Sequence, residues 1–126
     1  FHAKEKVKFF AETTNPENYM IAADVLCLPS YREGFGSVII EAASCGLPSI
    51  GSNIYGLIDA IKEKETGFLV PMGSSKLLEE AMLKLVSNDK LRNEMGSNAR
   101  KRAINFFSQD KITIEILQLY KRQIKE

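Results

Sequence analysis

Residues 25–46 read Val25-Leu26-Cys27-Leu28-Pro29-Ser30-Tyr31-Arg32-Glu33-Gly34-Phe35-Gly36-Ser37-Val38-Ile39-Ile40-Glu41-Ala42-Ala43-Ser44-Cys45-Gly46. The apolar run from Val25 to Leu28 is too continuous for a half-exposed strand, and Pro29 stops it. It predicts a strand buried on both faces. From Gly36 to Cys45 the chain is apolar on nearly every side, with Glu41 its only charge, and Gly46 makes a natural C-terminal stop. That pattern predicts a helix inside the protein. A buried strand that passes through a glycine-bearing loop into such a helix is the unit from which parallel sheets with right-handed crossovers are built.

The same alternation extends outward in both directions. Val7 to Ala11 is a short run of strand formers and predicts a first strand. Asn15 and Pro16 supply a cap and a first-turn proline for a short helix whose apolar face is Tyr19, Met20, Ala22 and Ala23. Leu47 to Gly51 predicts a third strand, followed by a turn through Asn53 and Gly56 and a small helix from Leu57 to Lys62. Gly67 to Pro71 is a fourth strand. From Ser74 onward only helices are expected. Their faces are Leu77, Leu78, Ala81, Met82 and Leu85; then Leu91, Met95, Ala99, Ala103 and Phe106; then Ile112, Ile116, Tyr120 and Ile124, with Ser108 placed as a cap. Gly73-Ser74-Ser75-Lys76 lacks the length of a phosphate loop and reads as another helix cap. The predicted class is α/β: an incomplete Rossmann-like parallel sheet of about four strands over residues 1–73, with a helical tail over 74–126 that packs back on it or on a neighbouring part.

Composition limits the function. The 126 residues are 44% hydrophobic and 26% charged, the make-up of one ordinary globular domain. Seventeen Lys and Arg against 16 Asp and Glu leave a net charge of +1, without the cationic excess of a protein that tracks nucleic-acid phosphates. Cys27 and Cys45 stand alone and there is one His, so neither a zinc site nor a disulfide framework is expected. Both cysteines read as small buried hydrophobes in a reducing compartment. Charge interrupts every long apolar run, so no spanning helix is predicted and the cytosol is the expected location. The opening Phe1-His2-Ala3-Lys4 reads as part of a longer protein.

Ligands of open parallel sheets collect at the carboxyl ends of the strands, where helix N-termini offer free amides and the positive end of the helix dipole. The loop after Leu28 is that place. Gly34 and Gly36 allow close backbone approach, although Ile39 occupies the third glycine position of a dinucleotide fingerprint. Glu41 lies four residues past Ser37, about 6 Å further along the helix axis, and its side chain leans back toward the start. Phosphate at the helix start and a sugar diol on Glu41 would be one nucleotide unit apart, with Glu33 reaching the group beyond the phosphate.

Pro29 to Ala42, continued by Cys45-Gly46-Leu47-Pro48, resembles the signature of the family-4 retaining glycosyltransferases, which includes two glutamates separated by seven residues, the spacing of Glu33 and Glu41. Gly56, Asp59 and Thr66 to Pro71 resemble the next family segment, with Tyr55 where a second glycine is usual and Asp59 where a glutamate is usual. The resemblance spans roughly Val7 to Leu85 and implies one half of a two-domain GT-B fold. It implies a nucleotide-sugar donor site in which Glu33 is the catalytic-position carboxylate on the transferred sugar. The backbone through Gly34, Phe35, Gly36 and Ser37 would touch the diphosphate or donor sugar, and Glu41 would hold the ribose hydroxyls. It also implies retention of anomeric configuration without a metal or other cofactor, and a glycan or lipid-linked acceptor bound by an N-terminal domain, as in enzymes of bacterial capsule or polysaccharide synthesis. The family's glycine-rich first turn and its paired Arg and Lys have no counterpart in these residues.

Two other readings fit parts of the pattern: a nucleotide-sugar epimerase of the same layout, and a non-enzymatic Rossmann-like assembly module. Taken alone, Glu41 reads as a structural carboxylate, paired with Arg32 or capping a helix, and with Glu33, Gly34 and Gly36 in register it reads as functional; Asp59 divides between helix capping and ligand contact. Arg100-Lys101-Arg102 reads as a wet helix face, with weak peripheral contact to the inner face of a membrane as the other use. Buried faces lacking their upstream strands favour a homodimer of the fragment.

Overall fold

The computed structural model describes residues 4–124. A single 3-10 turn, Lys4–Lys6, precedes helix α1, Pro16–Ala22. Strand β1, Leu26–Leu28, leads to α2, Ser37–Ser44, and then to strand β2, Ser49–Ser52. Strand β3, Gly67–Val70, is followed by three helices: α3, Ser75–Val86; α4, Asp89–Phe107; and α5, Gln109–Ile124. The three strands form one parallel sheet in the order β1-β2-β3, with Leu26 opposite Ser49 and Ile50 opposite Phe68. The α/β class and the parallel sheet follow the expectation from the sequence.

Strand alternation sends side chains to two different cores. Ile50, Phe68 and Val70 pack with Ala81 and Leu85 of α3 and Met95 of α4. Leu26, Leu28 and Leu69 face the other way, onto Ile39 of α2 and the buried cluster of Leu57, Ala60 and Ile61. A third cluster of Met20, Ala42 and Leu47 ties α1 to α2. Helices α2 and α4 approach closely because Gly96 lies against the Gly46 carbonyl, where a Cβ has no room, and Ala43 packs on Ala99 and Ala103. The change from strands to helices at residue 74 is therefore not a change of core, since α3 and α4 help bury the sheet.

Several sequence-based expectations differ from the structure. Val7 to Ala11 forms no strand: it has no regular structure, pairs with nothing among the described residues, and leaves Phe9 95% exposed. Strand propensity without a ladder partner leaves backbone groups to water, so the run gains nothing by becoming one. The sheet consequently has three strands. Its outer member β1 is only half-buried, because it pairs with β2 alone among the described residues. Residues 55–60 are successive turns rather than a helix, although Leu57, Ala60 and Ile61 still bury. Helix α2 carries an exposed polar stripe, Ser37, Glu41 and Ser44, spaced by four and three residues. Cys27 and Cys45 are free and half-buried. No residue of α5 is buried, and Ile112, Ile116, Tyr120 and Ile124 stay exposed.

No helix among the described residues is long and apolar enough to cross a membrane.

Candidate functional site

The loop of residues 29–36 leaves the carboxyl end of β1 and enters α2 at Gly36, whose φ of 62° and ψ of 50° place it in the left-handed region. A side chain there would be strained and would collide with Leu57, so glycine is required on both counts. As a cap, Gly36 offers no side chain to the first turn of the helix. The amide of Ile39 is taken by the Gly36 carbonyl at 2.9 Å, while those of Ser37 and Val38 have no capping side chain. The start of α2 is thus an uncapped positive dipole end with exposed Ser37 beside it.

Glu33 stands before this turn, half-buried, and the Ser30 hydroxyl donates to its Oε1 at 2.8 Å. That bond fixes the carboxylate to its own loop and leaves the second oxygen for a ligand. Gly34 is exposed, and the space where its side chain would stand is open to 4 Å. Phe35 is 43% exposed, and its ring meets Phe107 at the end of α4 with 5.7 Å between centroids. Glu41 is exposed, one turn beyond Ser37 on the same stripe, and its carboxylate makes neither a hydrogen bond nor an ion pair with the described residues. The pairing with Arg32 is therefore absent. A carboxylate held on a rigid helix and left unpaired is available to donors from outside the chain.

A position that sequence reasoning treated only as part of a turn supports this loop. Gly56 has φ of 94°, and a Cβ on it would lie 2.6 Å from the Glu33 carbonyl oxygen and 2.7 Å from that of Gly34. The backbone of 55–56 is thus pressed directly against the backbone that presents Glu33. The one sequence signal was a glycine within the segment resembling the family, and its partner lies about twenty residues earlier in the chain. Asp59, in contrast, caps no helix: its side chain is exposed and its carbonyl accepts from Arg102 Nη2 at 2.8 Å.

A hollow of about 230 Å³ opens on the Pro29–Tyr31 side of the loop, across the carboxyl ends of the strands toward Ser52 and Ser74. Glu33 and Glu41 are not part of its lining. Among the described residues no cluster of three or more His, Cys, Asp or Glu is placed to hold a metal ion.

Comparison with known proteins places the chain in a family. The family model described as "Glycosyl transferases group 1" matches residues 1–102. The chain is 37% identical over 120 residues to the capsular polysaccharide biosynthesis glycosyltransferase CapM of Staphylococcus aureus, covering 95% of the chain and 32% of that protein. It superposes on sucrose-phosphate synthase from Thermosynechococcus elongatus with a TM-score of 0.90 and 32% identity, covering 97% of the chain and 31% of the synthase. It superposes on Anabaena Alr3699/HepE in complex with UDP with a TM-score of 0.91 and 26% identity, covering 94% and 33% respectively. The chain therefore spans about a third of the length of the relatives it matches.

Proposed function

Because this chain belongs to the group 1 glycosyl transferases, we propose that it is the greater part of a nucleotide-sugar donor-binding domain from a retaining, GT-B-type hexosyltransferase. The observation that carries this reading is the Glu41 carboxylate, unpaired among the described residues, one turn below the uncapped, glycine-started end of α2 and separated from Glu33 by seven residues. In this reading the donor diphosphate meets the amides around Gly34 to Ser37, and backbone rather than a metal ion faces its charge. Glu41 accepts from the ribose hydroxyls, and Glu33 accepts from hydroxyls of the sugar being transferred. The bond from the anomeric carbon to phosphate breaks, and a bond to an acceptor hydroxyl forms on the same face. The acceptor's proton leaves with the diphosphate. The acceptor, a glycan or a lipid-linked sugar, binds through the part of the protein outside this chain, and peripheral membrane contact or dimerisation belongs to that assembled protein.

Magnitudes set the expected behaviour of the chain by itself. A helix terminus contributes about 1–2 kcal/mol to phosphate binding, and charge-assisted hydrogen bonds to Glu41 add roughly 1.5–3 kcal/mol. Against the entropy of association this corresponds to affinity on the order of millimolar. Titration of the chain with UDP-glucose should shift the amide resonances of residues 34–41 and produce no sugar transfer. Absence of any shift at several millimolar would overturn the proposal, as would equal shifts in the Glu41→Gln variant.

A further inference from the structure

We infer that the hollow on the Pro29–Tyr31 side of the loop is a second carbohydrate subsite, shaped for one neutral pyranose ring. Its identification as a sugar site rests on the reading of the chain as part of a sugar-transferring enzyme. At about 230 Å³ it falls below the roughly 300–1,000 Å³ of sites for drug-sized molecules, a size that suits a single ring. It lies across the carboxyl ends of all three strands, where open parallel sheets receive ligands.

The lining is uncharged and mostly apolar, with hydroxyls placed around it. Tyr31, Ser52, Ser74 and Ser75 contribute hydroxyl groups, and no ionisable carboxylate, amine or guanidinium takes part. Ser52 is the informative member. It is 1% exposed and ends β2 on the same face of the sheet as Ile50, so its side chain points toward α3 and into the hollow. Its hydroxyl enters none of the side-chain hydrogen bonds among the described residues. Yet it is not one of the sealed, unpaired buried atoms either, which are Ser49 Oγ and Arg102 Nε. A buried hydroxyl with no protein partner that still opens onto a cavity is a donor and acceptor reserved for a ligand.

Tyr31 supplies the complementary surface. It is 72% exposed, and its hydroxyl lies 3.5 Å from where a Cβ on Gly73 would stand, so the ring reaches from the β1–α2 loop to the turn before α3 and roofs the hollow. An exposed aromatic face over an apolar wall set with a few hydroxyls matches a pyranose, with its apolar C–H faces and its hydroxyl edges. Because Glu33 and Glu41 lie outside the lining, the ring bound here is distinct from the donor's own sugar and is assigned to a further unit of the acceptor glycan, whose reacting end binds outside this chain.

The chain titrated with methyl α-D-glucopyranoside to 100 mM should show amide shifts at Tyr31, Ser52, Gly73 and Ser74, with residues 34–41 unmoved. Tyr31→Ala should weaken those shifts at least five-fold and Ser52→Ala by about the same factor, while both variants keep the response of residues 34–41 to UDP-glucose. Tyr31→Phe should retain glycoside binding. No shift at 100 mM overturns the inference, as do glycoside shifts confined to 34–41 or unchanged binding in Tyr31→Ala. Should UDP-glucose leave residues 34–41 unmoved while the glycoside still shifts Tyr31 and Ser52, the donor reading fails and the carbohydrate subsite stands.

Discussion

Gly56 shows how much of the site is backbone pressed on backbone. Replacing it with Ala would put a Cβ within 2.7 Å of two carbonyl oxygens at a φ of 94°, and neither oxygen can move without moving Glu33 and Gly34. Gly56→Ala should therefore cost about 2–4 kcal/mol, measured by urea denaturation, and displace the amide resonances of residues 33–37. Of the site itself, the sequence made the Glu33 to Glu41 spacing and the two glycines visible, because they lie within one short local segment. It did not reveal why Gly56 must be glycine, because that reason is a contact across space. Cys27 gives a second test at this scale. Burial pushes its thiol above the ordinary value of about 8.5, so at pH 8 it should react with iodoacetamide more slowly than a free cysteine peptide, as read by mass spectrometry. With the folded-state value raised, its contribution to stability is intact below the unfolded-state value and diminishes as pH rises toward the folded-state one.

Helices and strands were legible where a local signal and a packing partner coincide. Ser74 was read as a cap, and its Oγ accepts from the Leu77 amide at 3.3 Å, while Ala81, Leu85, Met95, Ala99 and Ala103 were read as core faces and are buried. Ser74→Ala should lower stability by about 1 kcal/mol in the same denaturation assay. Val7 to Ala11 and Leu57 to Lys62 failed for different reasons. The first has strand-forming residues and no neighbour to pair with, and the second has helical apolar spacing met by a string of turns that bury the same side chains. Helix α5 has the periodicity of a packed helix, yet none of its residues is buried. Truncation after Phe107 should leave the unfolding free energy measured in urea unchanged within about 0.5 kcal/mol, because no core burial is lost. A drop of several kcal/mol would mean that α5 packs in solution.

Taken whole, the described residues form a covered parallel sheet with two apolar or unpaired surfaces, the free side of β1 and the exposed stripe of α5, and with Phe9 and Phe10 also exposed. The chain spans about a third of the length of the relatives it matches. The two surfaces are not mechanically separate from the loop between β1 and α2. Phe35 rests on Phe107, the last residue before the hinge at Ser108 from which α5 departs. A partner that covers the final helix would therefore sit one aromatic contact away from the loop that carries Glu33.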